Sequence, residues 1–358
     1  MIPVTKSFLP PIEEYNALIY RVFQNGWVTN RGELVLELEE QLTEYLHLES
    51  AKILLTNNGT IPLQIALKCL AKGGEVITTP FSYVATTSSI VWEGCKPVFV
   101  DIHPEYLTID ETKIEQAITE KTTCILATHV FGNPCNVEEI DRIAKKHNLK
   151  VIYDGAHAFG VKYKGKSIFE YGDVTACSFH ATKLFHTGEG GAIFCKDPEL
   201  FQQLFYHHNF GHNGQLAFHG LGINGKMSEL HAAMGLAVMP HIDYIISERK
   251  KLVHLYMEKL NSQIHILKLR EDCEWNFSYM PILIESEELL LLIEHHLVVN
   301  GILARRYFYP SLNTLPYLTY HEMRISEEIA RRILCLPLFV ELKEFELATI
   351  VACINKLL

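Results

Sequence analysis

The stretch "TTCILATHVFGNPCNVEEIDRIAKKHNLKVIYDGAHA", residues 122–158, decides the fold class. Two short apolar runs, "TTCILATHV" and "KVIYDGAHA", flank the helical pattern "VEEIDRIAKKHN". A strand apolar along its whole length, then a helix, then another such strand, marks a mostly parallel sheet covered by helices on both faces. The same alternation continues outward. "AKILLT" precedes the helix "TIPLQIALKCLA", where Pro62 is tolerated in the first turn. "EVITTP" leads through a helix in "YVATTSSIVWEG" to "KPVFVDI", and "VTACSFHA" and "GAIFCK" close the run near residue 195. An amphipathic helix over about 33–46 comes before it, with Leu34, Leu38 and Leu42 on one face.

After about residue 226 the pattern changes. "MSELHAAMGLAVMPHIDYIISERKKLVHLYMEKL" reads as one long helical stretch bent near Pro240. Strand-like "SYMPILI", a helix around Leu289 and a final helix near "ELATIVACINKLL" follow. At 358 residues the chain exceeds what one core usually holds. Two units are therefore expected: a large one over 1–240 with an N-terminal arm, and a smaller α/β one over 241–358.

The bulk numbers exclude several classes of function. A net charge of −10 argues against a broad grip on nucleic acid. No run approaches the ~20 apolar residues needed to cross a bilayer; "LLLLIEHHLVV" from Leu289 is broken by Glu294 and two histidines. The start, "MIPVTKSFLPP", lacks the order of a secretion signal. Nine cysteines fall singly without a C-x-x-C pair, so neither a disulfide framework nor a metal site is indicated. A soluble cytoplasmic protein with no membrane or nucleic-acid partner is the expectation.

Ligands of such sheets sit off the carboxyl ends of the strands. After "KILLT" comes "NNGT", Asn57 to Thr60, at a helix start: either an anion site or a plain helix cap. After "KVIY" comes Asp154, then His157; the carboxylate is a helix cap or a counter-ion for a cation. After "VTAC" come Ser178 and Lys183, the latter a turn lysine or an amine nucleophile. In this order the three supply what pyridoxal phosphate requires: a phosphate cradle, a carboxylate for the ring nitrogen and a lysine for the aldehyde.

With these parts goes a set of ordered motifs: "NGWVTNRG", "NNGTIPLQIAL", "TTPFSYVAT", "KPVFVDI", "HVFGNPC", "VIYDGAHAFG", "SFHATK", "GINGKMSELHAAMGL" and "CLPLF". The chain thereby resembles, nearly end to end, the sugar aminotransferases of the DegT/DnrJ/EryC1/StrS family, which have the fold type I (aspartate aminotransferase-like) architecture. The resemblance implies pyridoxal 5'-phosphate as cofactor, with Lys183 holding its aldehyde as a Schiff base and Asp154 keeping its ring nitrogen protonated. His157 would hydrogen-bond the phenolic oxygen, Gly59, Thr60 and Ser178 the phosphate, and Tyr83 would stack on the ring. Asn224 would reach the phosphate of a neighbouring subunit, so a homodimer with shared sites is implied.

His180 and Lys226 stand where many relatives carry tyrosine and arginine, on the substrate side. "FHATK" with "GINGKMSE" looks most like the branch that makes dTDP-4-amino-4,6-dideoxyglucose from L-glutamate and a nucleotide keto sugar, for O-antigen or another surface glycan. The alternatives are a 3-keto sugar aminotransferase on a dTDP- or UDP-linked substrate, a sugar dehydratase and a ligand sensor. Dehydratase relatives replace the lysine with histidine, and a sensor would have let the cofactor kit decay; Lys183 and the intact kit favour amination over these last two. Trp27, Thr29, Arg306 and Tyr309 face the sugar nucleotide or are surface turns. His207, His208, His212 and His219 lack metal-site spacing and read as a loop over the site.

Overall fold

The computed structural model describes residues 1–358. Nine strands build the larger unit: β1 Lys52–Thr56, β2 Glu75–Thr78, β3 Lys96–Phe99, β4 Thr122–Thr128, β5 Lys150–Asp154, β6 Lys162–Tyr163, β7 Lys166–Ser167, β8 Val174–Ser178 and β9 Gly191–Cys195. Seven form the central sheet in the order β1-β9-β8-β5-β4-β2-β3, in which β9 alone runs against the rest. The expected mostly parallel sheet is therefore present. The chain returns through β9 by a short loop, the one holding Lys183, instead of a helical crossover.

Helices α1 Ile12–Asn25, α2 Glu33–Tyr45, α3 Thr60–Leu70, α4 Val84–Trp92, α5 Val137–His147, α6 Pro198–His208 and α7 Glu229–Val238 flank this sheet. The strands are apolar throughout because both faces are covered. Ile125, Ala127, Val151 and Tyr153 enter one core with α2, α5 and α7. Their neighbours Leu126 and Ile152 enter another with α3 and α6. Helix α5 shows how locally the elements are specified: Asn136 Oδ1 accepts from the Glu139 amide, acidic residues fill the first turn and basic ones the last, and Asn148 ends it at φ 53°.

The expected bend lies between α7 and α8 Ile242–Lys259, where Met239–His241 tighten around Pro240. The second unit holds strands β10 His265–Ile266, β12 Pro281–Leu283 and β13 Ile333–Cys335, helices α9 Glu287–Val299, α10 Arg324–Arg332 and α11 Glu344–Asn355, while β11 Cys273–Glu274 pairs back onto β6. Ile242 and Ile245 of α8 belong to the large core, Leu252, Val253 and Tyr256 to the small one. We therefore propose that the division runs through α8, just past the 240/241 boundary read from the sequence. Residues 1–5 join the second unit: Ile2 bridges Ile302, and the Val4 carbonyl accepts from the Leu338 amide.

At the end of β4, His129 is fully buried against Tyr153, ring centroids 4.5 Å apart. Its Nδ1 accepts from the Cys135 amide and its Nε2 has no partner. Burial, with the nearby charge of Arg270, pushes its pKa down to about 3. The unfolded chain takes up this proton near pH 6.5, so the folded state loses stability as pH falls below that value. His129→Phe is expected to flatten the pH dependence of urea unfolding between about pH 6 and 4 by about 1.4 kcal/mol per pH unit. An unchanged slope would show that the histidine is protonated in place.

Candidate active site

The carboxyl ends of β1, β4, β5 and β8 and the loop after β2 surround a cavity of about 270 Å³, closed by Tyr279, Arg305, Tyr307 and Phe308 of the second unit. Gly59, Thr60, Tyr83, Asp154, His157, Ser178, His180 and Lys183 all line it. The loops that sequence reading singled out thus converge on one place.

Asp154 ends β5, and only 5% of its surface is exposed. Thr86 Oγ1 donates to its Oδ2 at 2.6 Å, and the Ala156 amide donates to Oδ1 at 3.1 Å. Ser82 Oγ joins Thr86 to Thr128, so a short chain of hydroxyls stands behind the carboxylate. Burial pushes the Asp154 carboxyl above its ordinary value, and Thr86, Ala156 and the charge of Lys183 pull it back. A cationic ring nitrogen is the partner this arrangement suits.

His157 Nδ1 accepts from the Phe131 amide at 3.2 Å. Burial, reinforced by Lys183, holds its pKa well below the ordinary histidine range, so the ring is neutral. With Nδ1 accepting, the remaining proton sits on Nε2, a donor suited to an anionic oxygen. The ring lies parallel to Phe308 at 5.5 Å between centroids. Lys183 Nζ reaches the Tyr279 hydroxyl at 3.2 Å.

A Cβ on Gly59 would lie 2.5 Å from Ser178 Cβ, so only glycine lets the start of α3 approach the end of β8 this closely. Asn58 Oδ1 caps α3 by accepting from the Thr60 and Ile61 amides at 2.9 and 3.0 Å. Thr60 and Ser178 line the cavity wall, where their hydroxyls suit an anionic group. Tyr83 is half exposed at the mouth, free to offer its face to a planar ring. Carboxylate, histidine donor, amine and hydroxyl cradle together fit pyridoxal phosphate.

Other candidates lie elsewhere in the single chain. Asn224 Oδ1 accepts from Lys226 Nζ at 2.8 Å, outside the cavity. Trp27 and Thr29 are exposed on the turn before α2. Arg306 is held by Glu287 at 2.6 Å and lies over Tyr309, so neither lines the cavity. Arg305 lines it instead. Its backbone pairs with Cys335 in both directions, a strand-like contact that sends successive side chains to opposite sides. The loop holding His212 and His219 does not line this chain's own cavity: Gly211 bonds back to Tyr206, whose ring stacks on His219 at 3.8 Å. Thr86, in the first turn of the helix that Tyr83 precedes, was legible in principle; Tyr279 and Phe308 carried no local signal.

Residues 11–355 match the model of the DegT/DnrJ/EryC1/StrS aminotransferase family. The chain belongs to this family. It is a pyridoxal-phosphate-dependent aminotransferase. A dTDP-4-amino-4,6-dideoxy-D-glucose transaminase of Shigella dysenteriae is 44% identical over 99% of this chain and 98% of its own. A protein of the same name from Escherichia coli is 41% identical over 100% and 98%. The crystal structure of DesI in the presence of its TDP-sugar product superposes with a TM-score of 0.93 at 27% identity, covering 99% of this chain and 92% of that one.

Thr86→Val removes one of the two donors to Asp154. It is expected to slow amino transfer about 10-fold, the value of one hydrogen bond to a charged group, while cofactor uptake is retained. Asp154→Asn, which cannot neutralise a cationic ring, should slow it at least about 100-fold with the fold intact. Wild-type rates in both variants would remove the carboxylate from the chemistry.

Proposed function

We propose that this aminotransferase moves the amino group of L-glutamate to dTDP-4-dehydro-6-deoxy-D-glucose, giving dTDP-4-amino-4,6-dideoxy-D-glucose and 2-oxoglutarate. The observation that carries the chemistry is the Lys183 amine and the buried Asp154 carboxylate lining one cavity. The names of the relatives at 44% and 41% identity support the substrate. A cytoplasmic role in O-antigen or other surface-glycan synthesis goes with it.

Bound pyridoxal phosphate supplies an electron sink for the carbanion left when an α-proton departs. Asp154, whose ionised form Thr86 and Ala156 favour against the effect of burial, would keep the ring nitrogen protonated and the sink deep. His157 donates from Nε2 to the phenolic oxygen. Thr60 and Ser178 hold the phosphate beside Gly59, and Tyr83 covers the ring. Lys183 anchors the aldehyde carbon through its amine. Once displaced by the amino donor, the same amine would be free to take up the proton that leaves the donor α-carbon and to give it back. The second substrate reverses the sequence, and His180 and Arg305 meet it from the cavity wall.

We infer that the working unit is a homodimer in which Asn224 of one copy completes the phosphate site of the other, with Lys226, Trp27 and Thr29 brought to the substrate side. Exposed apolar side chains, Trp27, Trp92, Phe210, Leu216 and Phe218, support an interface.

The purified holoenzyme should be yellow, absorb at about 410–430 nm and bleach on adding L-glutamate. Offered a panel of dTDP-, UDP- and GDP-linked keto sugars, it should aminate the dTDP-linked 4-keto sugar with the highest kcat/KM, with the product identified by NMR. Preference for a 3-keto sugar or another carrier would overturn the substrate assignment. Lys183→Ala should lose at least about 10²–10⁴-fold in turnover from the proton-transfer role alone.

A further inference from the structure

Lys183 Nζ makes one hydrogen bond, to the hydroxyl of Tyr279 at 3.2 Å. The two residues are far apart in sequence, on opposite sides of the joint between the units. The stretch before the tyrosine, "WNFS" at 275–278, is fastened across that joint by its side chains. Trp275 Nε1 donates to the Phe131 carbonyl at 2.7 Å. Asn276 Nδ2 donates to the carbonyls of His157 and Phe159 at 2.9 and 2.8 Å, and Ser278 Oγ to that of His157 at 3.1 Å. From the other side the buried guanidinium of Arg249 donates to the carbonyls of Phe277 and Ser278.

The Tyr279 ring is also walled in. His157, Phe131 and Tyr307 stand with centroids at 4.7, 5.5 and 5.8 Å. A phenylalanine would satisfy every one of these ring contacts. What tyrosine adds is one oxygen, and its protein partner is the ε-amino group. A lysine has four rotatable side-chain bonds, and a proton donor displaced by about 1 Å can cost about 100-fold in rate.

We propose that Tyr279 is a positioning residue for Lys183: its fixed hydroxyl holds the ε-amino group in place whenever that amine is not bonded to the cofactor. The anchoring through 275–278 to the His157 carbonyl ties this hold to the residue beside the cofactor ring. The second unit thus reaches into the chemistry through one oxygen. The inference rests on the aminotransferase reading above and deepens it.

Tyr279→Phe tests it in the holoenzyme and in the apoprotein. Cofactor uptake, Tm and the KM for L-glutamate should stay within about 2-fold, because the ring contacts survive. The single-turnover rate of bleaching by L-glutamate should fall about 10–100-fold. The isotope effect with α-deuterated glutamate should rise, since proton transfer becomes slower relative to other steps; a merely structural role would not move it. In crystals of the apoprotein variant, Lys183 Nζ should lose its single position. A wild-type rate and isotope effect, or an unmoved Nζ, would overturn the proposal, and so would loss of cofactor uptake, which would mark the hydroxyl as structural. Should the wild type itself fail to bleach with L-glutamate, the substrate reading falls, and the position of Nζ still decides the role of Tyr279.

Discussion

The site depends on a carboxylate placed at the end of a buried strand. Asp154 emerges from β5 into a cavity where two donors, a hydroxyl and an amide, reach it. Taking such a charge from water costs several kcal/mol unless a cation answers it. Lys183 meets part of that need through space, drawing Asp154 toward its ionised form while pushing His157 toward neutrality. One ammonium therefore biases both groups that flank the cofactor ring. A protonated ring nitrogen would complete the balance, which is the form of the cofactor that stabilises carbanions.

The scaffold makes this arrangement rigid. Parallel strands deliver their carboxyl ends to one edge, and the glycine at position 59 lets α3 close on β8. The hydroxyl chain Ser82–Thr86–Thr128 stitches the ends of neighbouring segments behind the carboxylate. The second unit supplies the roof, and its 275–278 segment is bonded to the same loop that carries His157. The roof and the floor are thus one hydrogen-bonded body at the point where the amine works.

Much of this was legible in the sequence because it is local. Strand–helix alternation, the Asn58-capped turn at "NNGT", the strand-end Asp154 and the glycine-flanked Lys183 each declare themselves within a few residues. The bend at Pro240 did so as well. What was not legible is long-range. Whether Arg305 or Arg306 faces the cavity depends on a two-way backbone pairing with Cys335, thirty residues away, which the flanking residues do not reveal. The loop with His212 and His219 folds back on α6 through a ring stack that no local pattern announces. Tyr279 meets Lys183 only because two units pack together.

The central claim is that the Lys183 amine is the covalent anchor of the cofactor aldehyde. Reduction of the holoenzyme with borohydride, digestion and mass mapping of the peptides tests it directly. The account predicts a stable pyridoxyl mass on the peptide that contains Lys183, with every other lysine unmodified. A label on a different lysine, or none after reduction of a yellow protein, would contradict it.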